Sequence, residues 1–179
     1  MTGDDTTADR TDKHAHPHQE VSNPAFAIVT VSSTRTLETD SGGDALASIV
    51  EANEMTVARR ELVRDDRAEI AAVVEVLADD EAVETIVLTG GTGLAPEDVT
   101  VEAVSPQFDR EIPGFGELFR LVSYEEIGAR ALLSRACAGV VSKTPVFCLP
   151  GSKDGASTGM EQLIVPTIGH ILGHTKGLS

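Results

Sequence analysis

Three glycines fall within four residues in Thr89-Gly90-Gly91-Thr92-Gly93, directly after an apolar run. Glycine lets the backbone curl tightly and approach a ligand, and successive N–H groups in such a loop form an anion-binding nest. A phosphate or a carboxylate fits such a nest; a tight turn with no ligand accounts for the glycines equally well. The segment lacks the Gly-Lys-Ser/Thr ending of a P-loop and the GxGxxG spacing of a dinucleotide fold. Asp98 lies five residues beyond Gly93. A carboxylate beside a bound phosphate is costly unless a cation joins them, and Mg²⁺ takes one or two carboxylates together with phosphate oxygens. Asp98 could also cap a helix starting at residue 99.

Asp65-Asp66 supplies a second carboxylate position, with Asp66 placed to cap the helix that follows. Two acids converging on one phosphate, Asp98 and a member of this pair, suit metal-assisted phosphoryl or nucleotidyl transfer. Pro150-Gly151-Ser152-Lys153 adds a turn, a hydroxyl and a base. Ser152 is either an N-cap or, with Lys153, a contact to an anionic ligand. Ser32-Ser33 stands at another strand end.

These groups must be positioned by alternating strands and helices. Residues 25–31, 55–63, 84–88 and 145–149 are short apolar or alternating runs that predict strands. Residues 44–52 and 154–174 have helical spacing, and Ile70, Val73, Val74 and Leu77 mark an amphipathic helix over 66–78. A long insertion of helical character covers 98–131. The alternation predicts an α/β fold with a mostly parallel sheet and helices on both faces. Ligands in such folds sit at the carboxyl ends of strands, which places Ser32-Ser33, Thr89–Gly93 and Pro150–Ser152 on one edge. Phe115, Leu118, Phe119, Leu121 and Val122 crowd the insertion, as a subunit contact or as cover for the domain's own core.

Residues 1–23 are polar and lack the apolar surface to fold, which predicts a disordered acidic tail ahead of one domain over 24–179. His14, His16 and His18 alternate there, as a loose transition-metal site or as solvated side chains. The net charge of −15 argues against nucleic acid and anionic membrane as partners. It also suits a salt-rich, halophilic cytoplasm, where screening relieves self-repulsion. Cys137 and Cys148 form no CxxC pair and read as buried free thiols. No apolar run is long enough to span a membrane and no signal peptide is visible, so a cytoplasmic location is expected.

Taken in order, Asp40-Ser41-Gly42, Val63-Arg64-Asp65-Asp66, Thr89–Gly93 with Asp98-Val99-Thr100, Pro113-Gly114-Phe115-Gly116-Glu117, Leu133-Ser134-Arg135 and Leu149-Pro150-Gly151-Ser152-Lys153 resemble the MogA/MoaB family. This family includes the gephyrin G domain and molybdopterin adenylyltransferases. The resemblance covers roughly residues 25–175, and residues 115–128 lean towards the MoaB branch. It implies a three-layer α/β/α molybdopterin-binding fold, a homotrimer, and transfer of AMP from MgATP to the terminal phosphate of molybdopterin. It further implies that Asp65 and Asp98 support Mg²⁺ and the transfer. In that pattern Gly90, Gly91, Thr92 and Gly93 hold the pterin ligand, with Ser32, Pro150, Gly151, Ser152 and Lys153 around it. Two departures stand out. Ser32-Ser33 replaces the family's usual Ser-Asp pair, and Leu94-Ala95-Pro96-Glu97 lacks the basic residues common in adenylyltransferases. The alternatives to catalysis are a molybdopterin carrier of the MoaB type and an interaction scaffold.

Overall fold

The computed structural model describes residues 20–178. Six strands form one sheet in the order β2-β1-β3-β6-β5-β4. β1 (Ala25–Val31), β2 (Thr56–Val63), β3 (Thr85–Thr89) and β6 (Thr144–Leu149) are parallel. β5 (Cys137–Val141) and the two-residue β4 (Arg110–Glu111) run antiparallel to their neighbours.

Side chains alternate across each central strand and so divide the core in two. Phe26 and Ile28 of β1, Val87 of β3, and Phe147 and Leu149 of β6 face one layer. That layer comprises α1 (Ser41–Ala52), α4 (Pro113–Ile127), α5 (Lys153–Gly159) and α6 (Val165–Thr175). Ala27, Val29, Ile86, Leu88, Val146 and Cys148 face the other, built from α2 (Arg67–Ala78) and α3 (Thr100–Val104). The chain is therefore a three-layer α/β/α domain, as expected.

Three differences from the expected elements have physical causes. The expected insertion is broken into α3, a 3-10 turn (Ser105–Gln107), β4, α4 and a further 3-10 turn (Gly128–Leu133). Pro113 opens α4, where its missing N–H costs nothing. β5 is joined to β6 by a two-residue turn in which Ser142 and Lys143 both have positive φ, 48° and 78°. That is the twist a hairpin requires, carried by residues that rarely supply it. The expected last helix is interrupted by a π-helical turn, Met160–Ile164, just before Pro166, whose ring removes a backbone donor and shifts the bonding pattern.

Residues 20–23 of the expected tail lie within the described chain. The Val21 amide donates to the Gly169 carbonyl at 3.1 Å, and Val21 packs against the core. His14, His16 and His18 lie outside the described residues. Among the described residues no helix is long and apolar enough to cross a membrane.

Candidate functional site

From β1 the chain crosses one face to β2 on one side, and from β2 it crosses the other face to β3 on β1's opposite side. The carboxyl ends of β1 and β3 are therefore where the loops diverge, the place at which an open α/β sheet leaves a crevice. A crevice of about 480 Å³ lies there, walled by Ser32, Ser33, Arg35, Asp65, Gly90 and Gly151. A second, of about 340 Å³, adjoins it and takes Thr92, Gly93, Asp98, Pro150 and Ser152. Gly91 and Gly151 wall both.

The glycine-rich loop is held from three sides. The Gly90 amide donates to the Leu149 carbonyl at 3.1 Å, and Thr89 Oγ1 to the Pro150 carbonyl at 2.8 Å, so the loops after β3 and β6 are laced together. Buried Thr100 donates through Oγ1 to the Gly90 carbonyl at 2.8 Å and through its amide to the Gly91 carbonyl at 3.0 Å. Gly90 and Gly91 have φ of 113° and 65°. A Cβ on Gly91 would stand 2.3 Å from Thr100 Oγ1, and one on Gly90 2.3 Å from the Val31 carbonyl oxygen. No other residue type fits there.

Arg135 closes the third side. Its amide donates to the Thr92 carbonyl at 3.0 Å, Nε to the Gly93 carbonyl at 2.7 Å and Nη2 to the Asp98 carbonyl at 2.8 Å. Nη1 pairs with Glu102, whose carboxyl is thereby held below its usual range.

Asp65 accepts from Ser33 Oγ at 2.7 Å through Oδ2, and its amide donates to Ser33 Oγ at 3.2 Å. Asp98 Oδ2 accepts from the Ala95 amide at 2.9 Å, and Gly93 leaves the space for it, since a Cβ there would meet Oδ2 at 2.6 Å. Asp98 is thus not a helix cap: α3 starts at Thr100 after Val99, with no side-chain cap bond. Asp66 does cap α2, accepting from the Ala68 and Glu69 amides, both at 2.9 Å. Ser152 occupies the N-cap position of α5 without a side-chain cap bond. Lys153 is exposed and walls neither crevice.

The two aspartates therefore line adjoining crevices rather than one. Ser32, Gly90, Gly91 and Gly151 meet Asp65; Thr92, Gly93, Pro150, Gly151 and Ser152 meet Asp98. Sequence reasoning gave no role to Arg35. Its amide donates to Ser32 Oγ at 3.2 Å and its Nη2 lies 3.5 Å from the Gly151 carbonyl. It places on the first crevice a positive charge that residues 94–97 do not supply. Its position four residues past the first strand was the only available signal.

The family model described as "Probable molybdopterin binding domain" matches residues 27–170. The chain belongs to this family. Within it, the relatives place the chain on the MoaB branch. It is 43% identical over 146 residues to molybdenum cofactor biosynthesis protein B of Bacillus subtilis (strain 168), covering 81% of this chain and 86% of that one. A crystal structure of a molybdenum cofactor biosynthesis protein B superposes with a TM-score of 0.85 at 41% identity, over 87% of this chain and 98% of that one. The tungsten cofactor synthesizing protein MoaB from Pyrococcus furiosus superposes at 0.77 with 32% identity, over 86% and 98%. Both crevices and their loops lie inside the matched span.

Proposed function

We propose that the chain acts in molybdenum cofactor biosynthesis by MgATP-dependent adenylylation of molybdopterin. The observation that carries this is the pair of carboxylates on adjoining crevices, sharing Gly91 and Gly151 as a common wall. Each crevice has room for part of an elongated phosphorylated ligand, and the shared wall is where two ligands would meet.

The donor set fits Mg²⁺. Among the described residues neither Asp65 Oδ1 nor Asp98 Oδ1 is taken by a protein hydrogen bond. Each leaves a hard oxygen for a cation that prefers carboxylate and phosphate. Bound there, Mg²⁺ would neutralise charge on the reacting phosphates. The protein's own contribution is placement. The Arg135 clamp and Thr100 keep the nest rigid, so a terminal phosphate docked on it is held for in-line attack on the α-phosphate of ATP. Arg35 meets anionic oxygens in the first crevice, and Ser33 fixes Asp65 there.

The exposed face of α4 supports a homotrimer. Leu118, Leu121, Tyr124 and Ile127 recur every third residue and are 47–60% exposed, and Leu132 and Leu133 continue the patch. Phe115 and Phe119 point the other way, into the core, so these two cover the domain's own interior and the exposed residues are the ones left for a subunit contact. Monomers rarely leave such a patch open. Sedimentation equilibrium at high salt should return three times the chain mass.

A second reading, a carrier that binds molybdopterin without adenylating it, is favoured by the acidic Glu97 on the first crevice and the lack of basic residues over 94–97. Pyrophosphate release from MgATP upon addition of molybdopterin separates the two. Release supports the enzyme; molybdopterin binding with no release under any Mg²⁺ or salt condition supports the carrier.

A further inference from the structure

We propose that His170 and His174 form a chelating site for a divalent transition-metal ion of the imidazole-binding class, Cu²⁺, Ni²⁺ or Zn²⁺. They stand four residues apart on α6, which sets both side chains on one face. Both are exposed. Their Nε2 atoms are hydrogen-bonded to each other at 3.0 Å, with ring centroids at 4.5 Å and the rings crossed at 86°, so a bound ion would take the place of the proton between them. Two imidazole nitrogens on adjacent corners of a square-planar or octahedral ion, each about 2.1 Å from it, are about 3.0 Å from one another. The pair already has the separation that such an ion demands.

The backbone beneath is rigid. Ile168 and Leu172 anchor α6 with no exposed surface, and the adjacent Gly169 carbonyl accepts the Val21 amide. Binding therefore asks for no change in the helix that carries the two side chains. Among the described residues no group of three or more His, Cys, Asp or Glu is placed to hold a metal. With two imidazole arms supplied by the described residues, the ion's identity follows the affinity order of nitrogen ligands, with Cu²⁺ first.

The location separates this site from the crevices. Lys176, two residues past His174, pairs with Glu84, which immediately precedes β3. The histidines therefore sit at the amino edge of the sheet, opposite the carboxyl edge that carries Asp65 and Asp98. The chemistry separates them too, since imidazole selects against the hard Mg²⁺ that carboxylates prefer. The chain's other three histidines, His14, His16 and His18, precede Val21 in sequence and are a second source of imidazole that the test must remove.

The test is calorimetric titration of the full chain with Ni²⁺ in chelator-free buffer, repeated in excess Mg²⁺. Four proteins are compared: wild type, His14→Ala/His16→Ala/His18→Ala, and that variant with His170→Ala or His174→Ala added. The three-histidine variant is expected to keep one equivalent of Ni²⁺ even against Mg²⁺. Either added substitution should weaken it at least tenfold, because a chelate needs both arms. Both positions are exposed and alanine favours helix, so unchanged melting temperatures without metal will show that folding is intact. The proposal is overturned if the three-histidine variant binds no Ni²⁺, or if His170→Ala leaves its binding unchanged.

Discussion

Arg135 Nη2 donates to the Asp98 carbonyl at 2.8 Å, so a side chain just ahead of β5 fixes the backbone of the residue proposed to hold Mg²⁺. The same guanidinium holds Gly93 and pairs with Glu102. Arg135→Ala should cost about 2 kcal/mol of stability, the scale of lost charge-assisted bonds at a partly exposed site, and more than tenfold in molybdopterin affinity. Arg135→Lys keeps the charge but not the fork, and should restore stability better than affinity. Denaturant melts and ligand titration check both. Equal affinity in all three proteins would remove the clamp from the site.

The ion pair also sets an acid limit. Bonding to Arg135 lowers the Glu102 carboxyl from its usual 4.5, so its contribution is present above that value and is lost as pH falls through the lower folded value. Loop protection in hydrogen exchange should stay flat from pH 7 to about pH 5 and decline only below about 4.5. Glu102→Gln should flatten that decline.

Asp65→Asn and Asp98→Asn should each reduce pyrophosphate release by about 10²–10³-fold while leaving the melting temperature near that of wild type. Asp66→Ala is the contrast. It removes two cap bonds from α2 and should cost about 1 kcal/mol of stability with turnover retained in the folded fraction.

Gly91→Ala should destabilise by more than about 2 kcal/mol, because positive φ and a Cβ at 2.3 Å from Thr100 Oγ1 act together. Gly114→Ala, in the first turn of α4 with nothing within 4 Å of its Cβ, should be neutral or stabilising by up to about 1 kcal/mol. Chemical denaturation of the two variants measures the difference.

Cys137 and Cys148 face each other across β5 and β6. Hydrogen bonding to Cys148 lowers the Cys137 thiol, while the same contact and full burial push Cys148 well up. Iodoacetamide at neutral pH should label Cys137 first and reach Cys148 only on unfolding, as mass spectrometry of the peptides will show. Simultaneous labelling would contradict the assignment.

The four parallel strands and α2 were legible because apolar runs and the i, i+3, i+4 rhythm are local. The convergence of Ser32, Gly90 and Gly151 on one edge followed from strand direction alone. The β5 strand was not legible: Cys-Ala-Gly-Val-Val is short and small, and Ser142-Lys143 carries no turn signature. The Arg135 clamp was invisible for a different reason. It joins positions 37 and 42 residues apart, and only the folded sheet brings them together. Asp98 is a different case, a local one: its carboxylate turns back three residues to the Ala95 amide, where its position equally suggested a helix cap.

β2 forms one outer border of the sheet, and its middle reads Arg59-Arg60-Glu61; the other border, β4, is two residues long. Neither offers a neighbouring copy a usable row of unpaired amides and carbonyls, since charge blocks one and brevity the other. Both borders of the described sheet thus discourage edge-to-edge pairing, which protects the protein from ribbon-like aggregation.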